Sequence, residues 1–535
     1  MSIKLTAPIL VDGASQPVGT VFSIFDAAAE ADLVNSGVAV YVVENISAGG
    51  ELVKVMFDRV NRRVMFSEPE GFRELNFRDA VDPRSYGCKG DGQIVLDATL
   101  TLVSGTTYNV SSISANSGFG FNEGDIGKVL AVMNRNASSV SDTPRSGTIS
   151  AIVNDNQAQV TFGNVPGGTL SNMRCVFGTD DSIGLNQAIA SASSLNLPVY
   201  IGAMYVVASG ISMLDDVNLF GNGPDQKRTG PQDALCRGGA IVCAKWLGAG
   251  VPMIKAGLGN GFFNLNLDGF GLCDNYALDL STNQGKAIVQ NCMIFAGNNS
   301  NVLCGATVNI YYSSLWAHRA SAGPNLVING GDNRISNCDI AGSGNNQYQI
   351  KITASEVQIN HCHSWKNSTL NASGRANGGQ ILIQPANNNA YGIEINNHVF
   401  DSSFGAYSHV MIDLANGLVT TAYDISINGC RTLQAAASGH MPIVKLNIPA
   451  GKSLKGFTVR GLKGVGDFAM SESAQHTYLV DGSAVAGNIY ASETGGGNVV
   501  DCAALYNFSA TWAAWDKNDG NMILPTYAST AATIG

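Results

Sequence analysis

A four-residue phrase recurs along this chain at nearly constant spacing, and it restricts the available folds more than any other feature. The phrase is an aliphatic or aromatic residue, a variable residue, a third that is usually Asn, Gly or Ser, and then Cys or another residue. It reads Val289-Gln-Asn-Cys292, Tyr312-Ser-Ser-Leu315, Ile335-Ser-Asn-Cys338, Ile359-Asn-His-Cys362, Ile395-Asn-Asn-His398, Ile427-Asn-Gly-Cys430 and Val459-Arg-Gly-Leu462. Looser matches begin at Val217, Ile241, Leu265 and Ile489, and the intervals from Val217 onward are 24, 24, 24, 23, 23, 24, 36, 32, 32 and 30 residues. A second apolar strand precedes each phrase, as at Leu326-Val-Ile328 and Ile350-Lys-Ile352. Short strands at ~3.3 Å per residue, joined by tight turns and repeating every 23–24 residues, describe the rungs of a parallel β-helix. Helical solenoids need longer stretches with apolar spacing near 3.6, and none is present.

Stacking assigns roles to the repeated positions. Equivalent residues on successive rungs lie ~4.8 Å apart. Asn291, Asn337 and Asn397 then form a polar column at a corner, while Cys292, Cys338, Cys362 and Cys430 stack in the core with Leu315 and Leu462. The eleven cysteines are odd in number and none is spaced C-x-x-C. They read as buried free thiols, not as a metal or disulfide framework. The intervals above 24 are expected to come from one lengthened turn, at Gln384–Ala390, Leu414–Thr420 and Asn447–Lys452, which raises a wall beside the helix.

Charge narrows the partners. With 31 Lys+Arg against 41 Asp+Glu the net charge is −10, and no basic run is present, which argues against nucleic acid. No window reaches the ~18 apolar residues of a membrane span, and Met1–Thr6 carries no apolar signal segment. Cytoplasmic folding is expected. Residues 1–78 mix strands (Val38–Val43, Leu52–Phe57) with an expected helix at Asp26–Leu33. Residues 79–180 form an opening segment with a β-rich insertion, and 181–465 the β-helix. Residues 466–535 form a C-terminal region with a weak rung near Ile489 and an aromatic pair, Trp512 and Trp515, suited to a subunit interface. Thr179 or Asp180 is expected to N-cap a helix over Ser182–Ala192 with Ile183, Ala188, Ile189 and Ala192 on one face, covering the open end of the solenoid.

Ser85-Tyr-Gly-Cys-Lys-Gly-Asp-Gly92, Thr179-Asp-Asp181, Pro198-Val-Tyr-Ile201 and Val217-Asn-Leu-Phe-Gly-Asn-Gly223 together resemble the opening of pectate-lyase-type β-helix proteins. Gly202-Ala-Met-Tyr205 departs from the usual continuation. The inserted segment and the small N-terminal module are similar to those of bacteriophage tailspikes. The resemblance covers about residues 79–225 by motif, and the rungs to about 465 by architecture. It implies an all-β chain: a right-handed, single-stranded parallel β-helix with a small N-terminal module and a C-terminal β-rich trimerisation region. It further implies a homotrimeric capsule or O-antigen depolymerase on the virion tail, assembled in the host cytoplasm. The N-terminal module would fasten it to a baseplate or tail protein. No family catalytic motif matches residue by residue, so the site has to be argued from the rungs.

If the Cys column points inward, the first and third residues after it point outward. The resulting strip holds Met293 and Phe295, Trp316 and His318, Asp339 and Ala341, His363 and Trp365, Val399 and Asp401, and Arg431 and Leu433. Asp339, Asp401 and His363 are the candidate catalytic groups, since carboxylates and imidazoles move protons. Trp316, His318, Trp365 and Arg431 are candidate substrate contacts, with Trp faces suited to sugar rings. Asp339 and Asp401 lie two rungs apart, about 9–10 Å along the axis. That is near the ~6.5–9.5 Å of inverting glycosidases and beyond the ~5–5.5 Å of retaining ones. A second row, Arg334, Glu356, Gln358 and Glu394 with Asp424 beyond, adds Glu394 as a catalytic candidate and Arg334 as a substrate contact beside the lengthened turn. Solvated surface carboxylates are the plainer account of either row. Asp268, Asp274 and Asp332 read as turn caps, and no cofactor or metal site is expected. Hydrolysis is preferred to β-elimination, in which Arg431 or a His would act beside a uronate. A non-catalytic glycan-binding adhesin and a secreted bacterial lyase are the rivals, the latter weakened by the missing signal segment.

Overall fold

The structure, a computed structural model, describes residues 80–433 apart from 113–119, 135–143, 164–168, 225–234, 237, 283–285, 296, 298, 318–322, 343–346, 366–378, 387–390, 402–408 and 417–418. Outside that range it describes mainly individual strands. The chain divides into two compact units, Met1–Val81 and Asp82–Gly535. The first carries a six-stranded antiparallel sheet in the order Val21–Ser23, Ser2–Leu5, Ala39–Ala48, Glu51–Asp58, Arg63–Glu68, Gly71–Leu75. The helix expected at Asp26–Leu33 lies outside the described residues.

The second unit opens with a closed six-stranded antiparallel barrel running from Gln93–Ser104 to Thr169–Gly178. Tyr108, Leu100, Val160, Phe162 and Phe177 fill its core. Helix α1 (Ser182–Leu195) follows and ends on a left-handed Asn196. Its buried side is Leu185, Ala188, Ile189 and Ala192, whereas Ile183, expected on that side, is 72% exposed. Asp181 is the N-cap residue, but its carboxylate accepts instead from the amides of Lys89 and Gly90 at 2.6 and 3.0 Å. The adjacent Asp180 accepts from the Ser182 amide at 3.0 Å, and Asp91 accepts from the Thr179 amide at 2.9 Å. Two of the four motifs that carry the family resemblance, Ser85–Gly92 and Thr179–Asp181, are therefore clasped together by hydrogen bonds, which accounts for them structurally. Gly184 is required at this clasp, because a Cβ there would stand 2.6 Å from the Cys88 sulfur.

Three parallel sheets make the solenoid. The first has twelve strands, from Val199–Ile201 through Asn333–Ser336, Val357–Asn360 and Ile393–Asn396 to Met522–Leu524. The second has ten, including Asp339–Ala341, His363–Trp365, Val399–Asp401 and Arg431–Leu433. The third also has ten, including Leu326–Ile328, Ile350–Ile352, Ile381–Ile383 and Val410–Asp413. Alternating apolar side chains turn inward. Val289, Ile310, Ile335, Ile359, Ile395 and Ile427 form one column and are all fully buried. A buried Ile of this kind contributes about 2–3 kcal/mol through burial.

Pairing corrects the register of several repeats. Ile310, not Tyr312, is the partner of Val289 and Ile335, so Ser313 holds the position beside the cysteines. Leu315 instead pairs with Ile294 and Ile340 inside the second sheet. Ile241 also belongs to the second sheet, pairing with Leu267, and the first-sheet partner of Leu219 is Phe262. The sequence phrase misled there because an aliphatic residue followed by small polar ones occurs on both sheets. The first sheet also continues past Asp467, with Val499–Asp501 and Met522–Leu524, while the segment around Ile489 and both Trp512 and Trp515 lie outside the described residues.

The third phrase position has a backbone cause. Asn264, Asn291, Tyr312, Asn337, His361, Asn397 and Gly429 all hold φ between 50° and 62°, the left-handed region that Asn and Gly tolerate best. Asn291 donates to the Asn264 amide oxygen at 2.7 Å, and Asn397 meets His361 at 3.2 Å. A separate outward ladder joins Asn360, Asn396 and Asn428 at 3.0 Å per step. The ten described cysteines are free and buried. Cys338 points its thiol at the carbonyls of Ser336 and Ile310, at 3.2 and 3.6 Å, and Cys362 does the same with Asn360 and Ile335. A thiol thus fills an apolar corner while weakly satisfying carbonyls that an aliphatic group would leave bare. Burial pushes the Cys292 and Cys430 thiols up to about 12, so they stay protonated.

The longer rungs have two causes, not one. Between Trp365 and Ile381 lie fifteen residues where eight separate Ala341 from Ile350, so the 36-residue interval grows mainly after the second sheet. In the next two rungs most of the growth is at the expected turn. There Thr421–Tyr423 and Ser453–Lys455 pair as a small parallel sheet beside the solenoid.

Candidate functional site

The outward face of the second sheet brings three of the expected catalytic residues together. Asp339 and His363 are direct partners on adjacent strands, and Asp401 lies one rung further and two residues along. His363 Nδ1 stands 3.5 Å from an Asp339 oxygen and Nε2 stands 3.9 Å from an Asp401 oxygen. The imidazole therefore lies between two carboxylates, and each of the three side chains is about a quarter to a third exposed. Trp365 stacks on His363 with ring centroids 6.1 Å apart and planes 14° apart. Arg431 is exposed in the same column, two rungs from His363.

Other members of the strip differ from expectation. Trp316 points outward but is only 2% exposed, packed edge-on against Trp365 at 5.4 Å, so it presents no free face to a sugar. Met293 and Phe295 are buried as well, with the Arg174 guanidinium 5.6 Å from the Phe295 ring. Arg174 reaches there from the barrel and pairs at 2.6 Å with Asp268, a buried residue at the end of a strand whose carboxylate also accepts from the Phe270 amide at 2.8 Å and so caps the turn as expected. His318 lies outside the described residues.

A buried polar ladder supports the row from behind, and sequence reasoning missed it. Asn301, Asn325, Gln349, Gln380 and His409 sit just before or at the start of successive third-sheet strands and are fully buried. Asn325 donates to the Ala341 carbonyl at 2.7 Å, Gln349 to that of Trp365 at 2.8 Å, and Gln380 to that of Asp401 at 2.6 Å. Each amide pins the last residue of a second-sheet strand. Beneath the row, His398 and the buried Ser364 hydroxyl are 2.8 Å apart, and His409 bonds to Gln380. Burial lowers both His398 and His409 to about 3, so both are neutral. The legible signal was a polar residue preceding an I-x-I strand at each rung.

The second candidate row lies elsewhere, on the first sheet. Arg334, Gln358 and Glu394 occupy one outward column, and Asp332, Glu356 and Gly392 occupy the corner just before it. With Lys286, Thr307, Asn309 and Asn333 they line an open groove of about 550 Å³. The Glu394 carboxylate accepts from Asn396 at 3.4 Å. The groove and the Asp339–His363–Asp401 row face outward from different sheets. Among the described residues no cluster of three or more metal-ligating side chains occurs, and no helix is long and apolar enough to cross a membrane.

No family model matches the chain, and no curated protein does. Similar solved structures include the Dettilon tailspike protein, at 10% identity and a TM-score of 0.39, covering 65% of this chain and 65% of that one. A tailspike protein mutant of E. coli bacteriophage HK620 matches at 12% identity and a TM-score of 0.39, covering 66% and 64%. Polygalacturonase from Erwinia carotovora ssp. carotovora matches at 11% identity and a TM-score of 0.35, covering 57% and 94%. The chain thus spans just under two thirds of the length of either tailspike, and its own strand pairing shows a parallel β-helix directly.

Proposed function

We propose that this chain is a phage tailspike that binds a bacterial surface polysaccharide, capsule or O-antigen, and depolymerises it by glycosidic hydrolysis. One observation carries the reading: two carboxylates flank a single imidazole on the solvent face of a stacked sheet, with an indole beside it. Asp339 and Asp401 are two rungs apart, about 9–10 Å along the axis, which suits the inverting arrangement. One carboxylic acid protonates the oxygen of the breaking C–O bond. The other carboxylate takes a proton from the water that adds to the sugar carbon. His363 lies between the two, 3.5 Å from one carboxylate and 3.9 Å from the other, and keeps them on opposite sides of one ring. Trp365, stacked on His363, makes the aromatic edge of the site.

The test is product mass together with substitution. Digestion of candidate capsule and O-antigen preparations should release oligosaccharides carrying one added water. Asp339→Asn should lower turnover by at least 100-fold, the scale of lost acid–base catalysis, while polymer binding persists. Undiminished turnover in that variant would falsify the assignment. The 550 Å³ groove favours a second reading, in which Glu394 and Glu356 are the acid–base pair; Glu394→Gln would then be the inactive variant. Unsaturated products would establish a lyase, and intact bound polymer an adhesin.

A further inference from the structure

The groove on the first sheet has two properties that a solvated surface does not require. It holds five charged side chains, Lys286, Arg334, Asp332, Glu356 and Glu394, yet among the described residues no ion pair joins any of them. Among the described residues, neither cation makes a side-chain hydrogen bond there. Opposite charges line one concavity and remain available to a third party.

The second property is backbone strain. Two corners of the solenoid are left-handed. The corner between the first and second sheets is filled mostly by Asn and Gly, which accept that conformation. The corner at the groove holds Lys286, Thr307, Asp332 and Glu356 at φ of 49°, 62°, 58° and 55°. Thr is β-branched and disfavoured there, and Lys and Glu gain nothing from it. Lys286, Thr307 and Glu356, three of these four, are unsuited to the backbone they hold and supply groove wall, a pattern associated with ligand clamps.

We propose that this groove is a glycan-binding site separate from the Asp339–His363–Asp401 row, and that it takes an acidic oligosaccharide segment. The sugar carboxylate lies against Arg334 and Lys286, and sugar hydroxyls donate to Asp332, Glu356 and Glu394. Arginine presents the fork that matches a carboxylate, and carboxylates are strong acceptors for hydroxyls. The groove crosses five strands of the first sheet, from Lys286 to Glu394, or about 19 Å at the rung repeat. It therefore accommodates an extended chain, not a single sugar. The inference rests on the glycan reading above and adds the chemical class.

The experiment uses the full chain carrying Asp339→Asn, on an array of acidic and neutral oligosaccharides from bacterial capsules and O-antigens. Calorimetry then follows on the best acidic hit and on the same oligosaccharide with its carboxyls reduced to alcohols. Carboxyl reduction and Arg334→Ala should each weaken binding tenfold or more, with Arg334→Lys recovering part of the loss and Lys286→Ala weakening it less. Binding confined to neutral glycans, or unchanged affinity in both Arg334→Ala and Lys286→Ala, would overturn the acidic-segment site and leave the glycan reading standing. Retention of no glycan at all would overturn both.

Discussion

Thr307 shows most plainly how a residue can be chosen against its backbone. Its φ of 62° places a β-branched side chain in the left-handed region, at a cost of about 1–2 kcal/mol. Glycine would remove that cost while adding about 0.5–1 kcal/mol of unfolded-state entropy. The balance predicts that Thr307→Gly stabilises the chain by up to about 1 kcal/mol, read as a rise of a few degrees in the thermal midpoint. A fall in midpoint would show that the Thr side chain contributes contacts worth more than the strain. The opposite corner was legible in the sequence, because Asn291, Asn337 and Asn397 are the residues that such a turn selects. The groove corner was not, because Lys286, Thr307 and Glu356 carry no local signal for left-handed backbone. Side-chain alternation placed Asp339, His363 and Asp401 on one outward face, where the pairing also puts them, since a two-residue period survives any loop between strands. It failed to reveal that Trp316 is covered, because burial by a neighbouring indole is a matter of packing that no period encodes.

At the scale of the element, the buried ladder from Asn301 to His409 decides how the second sheet responds to acid. His398 and His409 are held at about 3, against an ordinary value near 6.5. The unfolded chain therefore takes up protons below pH 6.5 that the folded chain refuses. Stability is level above that pH and falls as pH drops from about 6.5 toward 3. Each histidine costs about 1.4 kcal/mol per pH unit in that window, or about 2 kcal/mol at pH 5. Urea midpoints measured from pH 7 to 4 should decline, and His409→Gln should roughly halve the slope. A flat profile in the parent protein would refute the account. Two strands per rung were readable from spacing, because short strands and tight turns fix the rung length, while the division into three sheets appears only in the pairing. The barrel between Gln93 and Gly178 was readable only as β-rich, since antiparallel pairing across 86 residues leaves no repeat.

For the molecule as a whole, the prediction concerns assembly. A tailspike reading requires three copies, so native mass spectrometry of the 55.8 kDa chain should find about 167 kDa, three times the chain mass. A monomer of 55.8 kDa would favour a free-standing enzyme or adhesin. The solenoid itself was the most legible feature, because its contacts are nearest-neighbour and repeat in sequence. Where the sequence lost register, between Val217 and Val289 and at Tyr312, rung length changes and the pattern can be matched one step out.

The stacking that holds the groove also makes it a ruler. Rungs from Val308 to Asn360 follow one another in register with no inserted strand. Duplication or loss of one such unit would lengthen or shorten the binding face by about 4.8 Å and leave the columns above and below aligned. A solenoid built this way changes the length of its groove by whole steps, so under the proposed glycan reading the polymer segment it takes would lengthen or shorten by the same count.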